Sequence, residues 1–376
     1  MLHIEYNLSL INENDFIEKN KLIHKCWGAN NKTYNIFKYD KEFLSMDLIE
    51  TIGLFRSIIY SNNTINVFSP PKSLHINTFI DKYNEEDCFA EEYIEGTMIN
   101  LFYDNDIGKW EISTKSSVSA NIHYFKDQPT FAKLFYEICN ELNINFDLFS
   151  KDCCYSFVMQ HPENKFVLQI NEKRLYLIAC YKIVNSQVTL IPRHEITMQN
   201  NIYFPEQYIM TSYNEFFNNY GSMNTSPSLL GVMIYHKDGN RTKISNPNYK
   251  YIKHLRGNNT KLQYQYLSLR KNGQVKDNLT FFPENKNHFN IFKQQLHIFT
   301  NTLYVNYINC YIKKEKPLIN FPKQFTPHMY HLHQYYLSVR EDGGYVNKNT
   351  VIEYINSLDT ARLMYALNYH MRNLST

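Results

Sequence analysis

The sequence has few glycines, no paired cysteine motif and no long apolar run. Glycine occurs 11 times in 376 residues, and the seven cysteines are scattered without a Cys-x-x-Cys pair. We therefore expect no zinc site and a reducing, cytoplasmic environment. No stretch approaches the roughly 18 apolar residues of a membrane span. The opening MLHIEYNLSLINENDF carries early acids and no apolar segment, so we also expect no signal peptide.

A strong net charge is also missing. The formal net charge is +3, with 43% hydrophobic and 20% charged residues, as in an ordinary folded protein large enough for two or three domains. This balance does not suggest a protein that holds nucleic acid through bulk charge, so any basic site must be local. Tyrosine (31) and phenylalanine (25) are abundant. The Ile-, Asn-, Lys- and Tyr-rich composition is typical of AT-rich coding, so it is weak evidence for base stacking.

Hydrophobic periodicity predicts an α+β body over residues 1–257 and a helical domain over residues 258–376. Within the body, 1–50 is expected to be mostly helical. Residues 53–73 are predicted to form two strands around an Asn-Asn turn, and 88–116 a second strand pair. The other predicted elements are a helix at 129–146, strands at 155–160, 165–170 and 175–183, a helix at 206–220, and a hairpin at 229–246 around KDGN.

Three segments of the last third have helical spacing, and Pro327 and Asp359 lie where helix starts are favoured. The histidines and tyrosines there admit more than one interpretation. His328, His331 and His333 indicate a packed or solvated helix more than a metal site, because no acidic ligand is near. Tyr335, Tyr336 and Tyr365 are expected in a core or interface. The basic run KYIKHLRGNNTK (250–261) is equally consistent with a solvated helix end and with a phosphate-contacting patch.

Seven short segments keep a fixed order along the body. They resemble, in that order, the motifs of the covalent nucleotidyltransferase superfamily, most closely those of phage-type ATP-dependent RNA ligases and RNA-ligase-like proteins of large DNA viruses. Each segment is short, so their shared order carries the resemblance. The segments are FRSIIYS (55–61), SPPKS (69–73), YIEGT (93–97), STKSS (113–117), YSFVMQHPENKFVL (155–168), LLGVMI (229–234) and RTKISNPNY (241–249).

The resemblance implies a fold and a chemistry. The fold is an α+β nucleotidyltransferase domain, an ATP-grasp-like adenylation domain of antiparallel sheets with flanking helices, followed here by an all-α C-terminal domain. In the chemistry, a lysine amine attacks the α-phosphate of ATP and forms a lysyl-AMP. That amine must lose its proton, so its pKa must fall below about 10.4. Carboxylates on two strands hold the ribose and a divalent metal, and closing lysines contact the phosphates.

This chain departs from the motifs at three decisive positions. YIEGT is similar to Lys-x-Asp-Gly-Ser, but Tyr93 stands at the nucleophile position. Ser156 and Leu230 stand where the two strand carboxylates would be. We therefore expect no catalytic residue and no metal site. The kept positions are implied to shape the pocket or to bind phosphate: Arg56, Lys72, Glu95, Gly96, Lys115, Gly231, Arg241 and Lys243.

The expected function is that of a catalytically inactive RNA-ligase-like protein. It would act as a nucleic-acid-binding or protein-assembly module in a viral complex, with protein partners and RNA or DNA, in the host cytoplasm or the virion. No cofactor is expected, unless the pocket keeps ATP or another nucleotide with Mg²⁺. The alternative is an active ATP-dependent RNA ligase with an unusual site, such as a tyrosyl-AMP at Tyr93. A third interpretation keeps nucleotide binding without transfer, through Lys115, Arg241 and Lys243.

Overall fold

The chain divides into two compact units, Met1–Lys253 and His254–Thr376. The computed structural model describes residues 3–9, 15–123, 128–164 and 166–372. The first unit is a mixture of antiparallel sheets and helices, and the second is helical. The predicted fold class, an α+β body of antiparallel sheets followed by a helical C-terminal region, is confirmed. Among the described residues, no helix has the length and apolar character needed to cross a membrane.

The strands of the first unit form one seven-stranded and two four-stranded sheets, in the orders β1-β12-β11-β10-β7-β8-β9, β13-β6-β14-β15 and β2-β3-β4-β5. The described strands are β1 (Ile4–Asn7), β2 (Leu22–Ala29), β3 (Lys32–Tyr39), β4 (Ile58–Ser61), β5 (Thr64–Phe68), β6 (Cys88–Glu92), β7 (Thr97–Asp104), β8 (Lys109–Thr114), β9 (Ser117–Val118), β10 (Cys153–Gln160), β11 (Arg174–Val184), β12 (Gln187–Leu190), β13 (Gln207–Tyr208), β14 (Gly231–His236) and β15 (Arg241–Ser245).

Helices flank the sheets and make up the second unit. The described helices are α1 (Phe16–Lys19), α2 (Ile76–Lys82), α3 (Phe131–Glu141), α4 (Tyr213–Tyr220), α5 (Pro247–Arg256), α6 (Leu262–Lys271), α7 (Val275–Phe281), α8 (Lys286–Tyr307), α9 (Thr326–Val339), α10 (Lys348–Ser357), α11 (Thr360–Leu367) and α12 (Tyr369–Arg372). A short π-helical segment, Ile308–Ile312, follows α8.

Helix α3 covers the seven-stranded sheet, as its apolar spacing predicts. Thr130 caps the helix by accepting a hydrogen bond from the backbone N–H of Lys133. Leu134, Phe135 and Ile138 are buried in one core with residues of β7, β8, β10 and β11. A second core places α2 and α4 against β6, β14 and β15. The apolar stripes of these helices therefore pack against two of the three sheets that carry motif segments.

The expectation that residues 1–50 are mostly helical is wrong. Strands β2 and β3 form a hairpin across Asn30 and Asn31, which have φ of 54° and 57°. Two consecutive left-handed residues form the tight turn that suits antiparallel strands, and asparagine tolerates that conformation. The same turn recurs between β4 and β5 at Asn62 and Asn63, where the predicted strand pair is confirmed.

The strand pair predicted at 88–116 is confirmed by β7 and β8, but the range also holds β6, which belongs to a different sheet. Strand β6 pairs with β13 and β14, whereas β7 pairs with β8 and β10. The two strands that flank YIEGT therefore belong to different sheets. At Gly96 an added Cβ would lie 2.4 Å from the carbonyl oxygen of Met159. Glycine is thus needed where the chain crosses from one sheet to the other.

Two further predictions need correction. The strand expected at 165–170 is absent over its described residues, 166–170, whose backbone N–H groups at Val167 and Leu168 donate to the carboxylate of Glu95 instead. The helix expected at 206–220 begins only at Tyr213. Ser212 caps it there, and the preceding residues Gln207–Tyr208 pair with β6.

The remaining secondary-structure predictions hold. The helix at 129–146, the strands at 155–160 and 175–183, and the hairpin at 229–246 appear as α3, β10, β11 and β14–β15. In the second unit, Pro327 lies in the first turn of α9, and Asp359 caps α11. Tyr336 packs against the core of this unit, whereas Tyr335 and Tyr365 are exposed and do not belong to a core. His333 stacks on Tyr311, and His328 hydrogen bonds to the Tyr354 hydroxyl.

Candidate anion-binding cleft

A cleft of about 450 Å³ in the first unit collects most of the cationic motif positions. The sheet formed by β6, β14 and β15 supplies one wall. Arg241 and Lys243 alternate along β15 and pair with Tyr235 and Met233 of β14. Because side chains two apart on a strand point to one face, this register brings all four to the cleft.

The opposite wall comes from loops beside the other two sheets. Arg56 and Lys72 flank strands β4 and β5, and Lys115 lies in the turn between β8 and β9. Backbone contacts fix this wall. The Lys72 N–H donates to the carbonyl oxygen of Gly53 at 2.9 Å, and the Ser57 hydroxyl donates to the carbonyl oxygen of Lys115 at 3.0 Å. The three cations are thus held by segments far apart in the sequence.

The charge of the cleft is one-sided. The described residues that line it include seven lysine or arginine side chains and a single carboxylate, Glu92. Burial raises the pKa of Glu92, so the folded protein disfavours the charged form of that carboxyl. Within the described part of the chain, none of the seven cations forms an ion pair. They are Lys41, Arg56, Lys72, Lys115, Arg241, Lys243 and Lys253.

Arg241 shows the clearest unmet demand for a partner. Its residue is only 9% exposed. One terminal nitrogen, Nη2, donates to the carbonyl oxygen of Pro71 at 2.6 Å, whereas Nε has no hydrogen-bond partner among the described residues. A buried donor without an acceptor costs on the order of 1–3 kcal/mol.

The pKa values of two cleft lysines also reflect the excess of positive charge in the cleft. Burial, followed by the charge of Arg56, lowers the pKa of Lys115 from 10.5 to about 8. The pKa of Lys72 is also lowered, first by burial and then by Lys243. A lowered lysine pKa means that the folded protein disfavours the charged form. Negative charge in the cleft reverses this effect, so the cleft favours anions.

Tyr93 lines the cleft immediately after β6. Lys243 Nζ donates to the tyrosine hydroxyl at a long 3.5 Å, and it lies 5.5 Å from the centre of the ring. The ring therefore occupies part of the wall next to Lys243. Tyr93 thus shares the cleft lining with the cations and contacts one of them, Lys243.

The two other departures from the motifs lie away from the cleft lining. The buried Ser156 hydroxyl donates to Asn100 Oδ1 at 2.8 Å, and Asn100 Nδ2 donates to the Ser69 hydroxyl at 3.0 Å. Leu230 is buried just before β14, and its carbonyl oxygen accepts from the N–H of Asn246. In the described part of the chain no group of three His, Cys, Asp or Glu side chains is arranged to hold a metal.

Glu95 does not line the cleft, and Gly96 acts through the backbone. The buried Glu95 carboxylate accepts hydrogen bonds from the N–H groups of Val167 and Leu168, at 2.8 and 3.2 Å for Oε1. It anchors a loop, while Gly96 permits the close approach to Met159. Of the motif positions with charged side chains, the cleft thus brings together the five cations, Arg56, Lys72, Lys115, Arg241 and Lys243, and leaves the acid outside.

Sequence reasoning missed several residues of the cleft. Lys41 follows β3, so its place becomes visible only once residues 32–39 are recognised as a strand. Tyr39, at the end of that strand, lies under Lys115, whose Nζ is 5.0 Å from the ring centre. Lys253 belongs to the basic run 250–261 and is the residue of that run that lines the cleft. A single basic residue within a dense run carries no signal of its own.

Comparisons with known proteins give one viral relative and a set of ligase structures. No family model matches the chain. An immediate-early protein ICP-46 homolog of Invertebrate iridescent virus 3 is 26% identical over 196 residues, which is 49% of this chain and 40% of the relative. The match therefore spans less than half the length of that relative.

Solved structures that resemble the chain include RNA and DNA ligases. An archaeal ATP-dependent RNA ligase matches with a TM-score of 0.44 and 13% identity, covering 66% of this chain and 62% of the ligase. A candidate ATP-dependent DNA ligase from Aquifex aeolicus has a TM-score of 0.41 and 11% identity, covering 96% and 78%. An RNA ligase from Naegleria gruberi with bound pyrophosphate has a TM-score of 0.37 and 10% identity, covering 61% and 79%.

Proposed function

We propose that the first unit binds a phosphate-bearing ligand, either a nucleotide or the terminal phosphates of a nucleic acid, without forming a covalent adduct. The observation that carries this proposal is the set of cations around the cleft, which have no ion-pair partner among the described residues. Charge-assisted hydrogen bonds from lysine and arginine to phosphate are the natural way to neutralise them. The Arg241 guanidinium, whose Nε has no partner among the described residues, adds a buried positive charge at the same wall.

We propose that covalent transfer is absent because Tyr93 stands at the nucleophile position and the two strand carboxylates of the motifs are replaced. A metal-assisted attack on an α-phosphate needs carboxylate ligands close to the nucleophile. Glu92 is the single carboxylate among the described residues that line the cleft, and burial raises its pKa. The cations here take the place that a metal would have in neutralising phosphate. The proposed module is accordingly an RNA-ligase-like protein that binds rather than reacts.

Isothermal titration with ATP and with inorganic pyrophosphate tests this proposal. We expect both ligands to bind the full-length protein in the absence of divalent metal. The double variant Lys72→Gln/Lys243→Gln should lose roughly 100-fold in affinity, because each charged hydrogen bond contributes about 1.5–3 kcal/mol.

Lys182→Gln is the matched control, because it removes an exposed lysine of β11 that is absent from the cleft lining. Its affinity should equal that of the wild type. Equal affinity of all three proteins, or no binding by any of them, contradicts the proposal.

A role in a viral assembly is the wider part of the same proposal. The relative from an iridescent virus supports a viral setting. We expect the protein to recover both nucleic acid and protein partners from the infected cell. Affinity purification from the native source, with and without nuclease, separates the two kinds of partner. Recovery of neither contradicts the assembly role while leaving the binding of phosphate intact.

The competing proposal is an active ATP-dependent RNA ligase, and one observation favours it. A pKa of about 8 leaves a useful fraction of Lys115 unprotonated near neutral pH, as an amine nucleophile requires. In that case ATP would leave a covalent nucleotide on Lys115 or Tyr93, with release of pyrophosphate. Peptide mapping after incubation with ATP and Mg²⁺ distinguishes the two proposals, since the binding module predicts no modified peptide.

A further inference from the structure

A second basic cavity lies within the helical unit. Helices α6, α8 and α10 line an open groove with a volume of about 720 Å³. Arg270 comes from α6, Lys293 from α8 and Lys348 from the first turn of α10. Each helix thus contributes one permanent positive charge to the same groove.

Helix α8 presents a continuous polar face to this groove. Asn290, Lys293, Gln294, His297 and Asn301 line it, and their spacing of three, four, seven and eleven residues keeps them on one side of a helix. At about 1.5 Å per residue they extend roughly 16 Å along the axis. That length suits an extended ligand better than a single small anion.

The composition of the groove lining further restricts the class of ligand that the groove can bind. Its twelve described residues include no carboxylate and no Phe, Tyr or Trp, while Leu296, Thr300 and Ile355 form a buried floor. One-sided positive charge selects an anion. With no Phe, Tyr or Trp in the lining, His297 and Arg270 are its two side chains on which a base could stack, so contacts to the charged backbone outnumber contacts to bases.

The solvent exposure of the groove lysines favours a polyanion over a small anion as the ligand. Lys293 and Lys348 are solvent-exposed, and one exposed ion pair contributes little to affinity. Several such contacts to a charged polymer add up, because each releases a condensed counterion. A groove between helices also accepts a single strand, whereas a double helix is read by elements that protrude into it.

We propose that the groove between α6, α8 and α10 binds the sugar–phosphate backbone of single-stranded nucleic acid, independently of base sequence. This inference does not depend on the cleft of the first unit, since the two sets of lining residues are disjoint.

Fluorescence anisotropy with the full-length protein tests the proposal. The probe is a 20-nucleotide RNA with a 5′-hydroxyl and a 3′ fluorophore, so that no terminal phosphate is offered to the cleft. The variant Arg270→Gln/Lys293→Gln/Lys348→Gln should bind about tenfold or more weakly. Its plot of log affinity against log salt should flatten by about 2, which is 0.7 for each lost phosphate contact.

The control variant Lys276→Gln/Lys314→Gln/Lys323→Gln removes the same charge from lysines of the same unit that do not line the groove. It should keep the wild-type affinity and salt slope, and thermal unfolding verifies that both variants fold. Equal loss in both triple variants overturns the proposal, because net charge alone would then explain binding.

Two further binding measurements separate the groove from the cleft and test the dependence on base sequence. The cleft variant Lys72→Gln/Lys243→Gln should bind this probe as the wild type does, so failure at one site is distinguishable from failure at the other. Single strands of different base sequence should bind within about threefold of one another. A duplex that binds as tightly as the strand, or a strong base preference, overturns the assignment.

Discussion

The cleft of the first unit and the groove of the second are both basic, but they place their charges differently. In the cleft, Arg241 is buried and burial lowers the pKa of Lys115 to about 8. In the groove, Lys293 and Lys348 remain exposed. A charge taken out of water destabilises the free protein until an anion arrives, whereas an exposed charge costs almost nothing.

This difference separates two ways of binding phosphate. The cleft holds fixed, partly desolvated donors that converge from three sheets, so it suits a compact phosphate group. The groove spreads exposed donors along a helix, so it suits a strand whose affinity depends on salt. Perturbations of the cleft should therefore change stability as well as binding, and those of the groove binding alone.

Gly231→Ala should produce the largest difference between the effect on the cleft and the effect on the groove. Gly231 has φ of 127°, and an added Cβ would lie 2.0 Å from the carbonyl oxygen of Ile244. The strands β14 and β15 would have to move apart, at a cost of about 3 kcal/mol or more in the free energy of unfolding. Titration should show pyrophosphate binding lost while RNA binding in the groove persists.

Gly273→Ala in the helical unit is the matched control. Gly273 also has a left-handed φ, 71°, but an added Cβ meets nothing within 4 Å. Its cost should be limited to about 1 kcal/mol of backbone strain. Comparable melting temperatures for the two variants would contradict the role assigned to the close contact at Gly231.

Lys115→Met should stabilise the ligand-free protein while weakening pyrophosphate binding. The fall in the pKa of Lys115 is a destabilisation of its charged form, and because the residue is partly exposed we expect a gain of only about 1 kcal/mol at pH 7. Lys293→Met in the groove is the control, and chemical denaturation should detect no change in its stability.

The pH dependence of this pair has a definite sign. Between pH 8 and 10.5 the unfolded chain keeps the Lys115 proton that the folded wild type has lost, so wild-type stability rises relative to Lys115→Met. The advantage of the variant should be largest below pH 8 and vanish above 10.5. A constant difference across this range would contradict the lowered pKa.

Magnesium should have a smaller effect on ligand affinity, a few-fold at most. Because Glu92 is the single carboxylate among the described lining residues, the cleft has no donor set for a metal, and Mg²⁺ instead competes with the lysines for phosphate. Pyrophosphate affinity measured by calorimetry should therefore fall slightly as Mg²⁺ is added, as should RNA affinity in the groove. A large gain at the cleft alone would indicate a metal-assisted site.

Tyr93→Phe should have the smallest effect. The tyrosine hydroxyl accepts one long hydrogen bond from Lys243, so its loss should change pyrophosphate affinity by less than about threefold. The same variant leaves the groove untouched. Loss of ligand binding on removal of this single hydroxyl would show that Tyr93 contacts the ligand directly.

The two asparagine turns show how much of the fold is predictable. Asn62-Asn63 was recognised as a hairpin because Ile- and Val-rich runs surround it, whereas the identical geometry at Asn30-Asn31 lies between strands that carry Lys, His and Asn. The turn residues carried the signal in both places. Local pattern identified the helical unit more readily, because its buried apolar positions recur with helical spacing.

The candidate site was predictable in its cations but not in its assembly. The order of the motif segments pointed to Arg56, Lys72, Lys115, Arg241 and Lys243, and the cleft brings all five together. Glu95 could not be placed, since its partners are backbone N–H groups more than 70 residues away. Lys41 and Lys253 reach the cleft through strand pairing and helix placement, which no local pattern encodes.

The most direct test of the central claim is retention of ATP labelled at the α-phosphate, measured before and after denaturation of the same sample. The protein is incubated with the label, with and without Mg²⁺, and captured on a filter natively and then in detergent. Non-covalent binding predicts label on the native protein that Lys72→Gln/Lys243→Gln reduces, and none after denaturation. Label that survives denaturation, or no label on the native protein, would contradict the account.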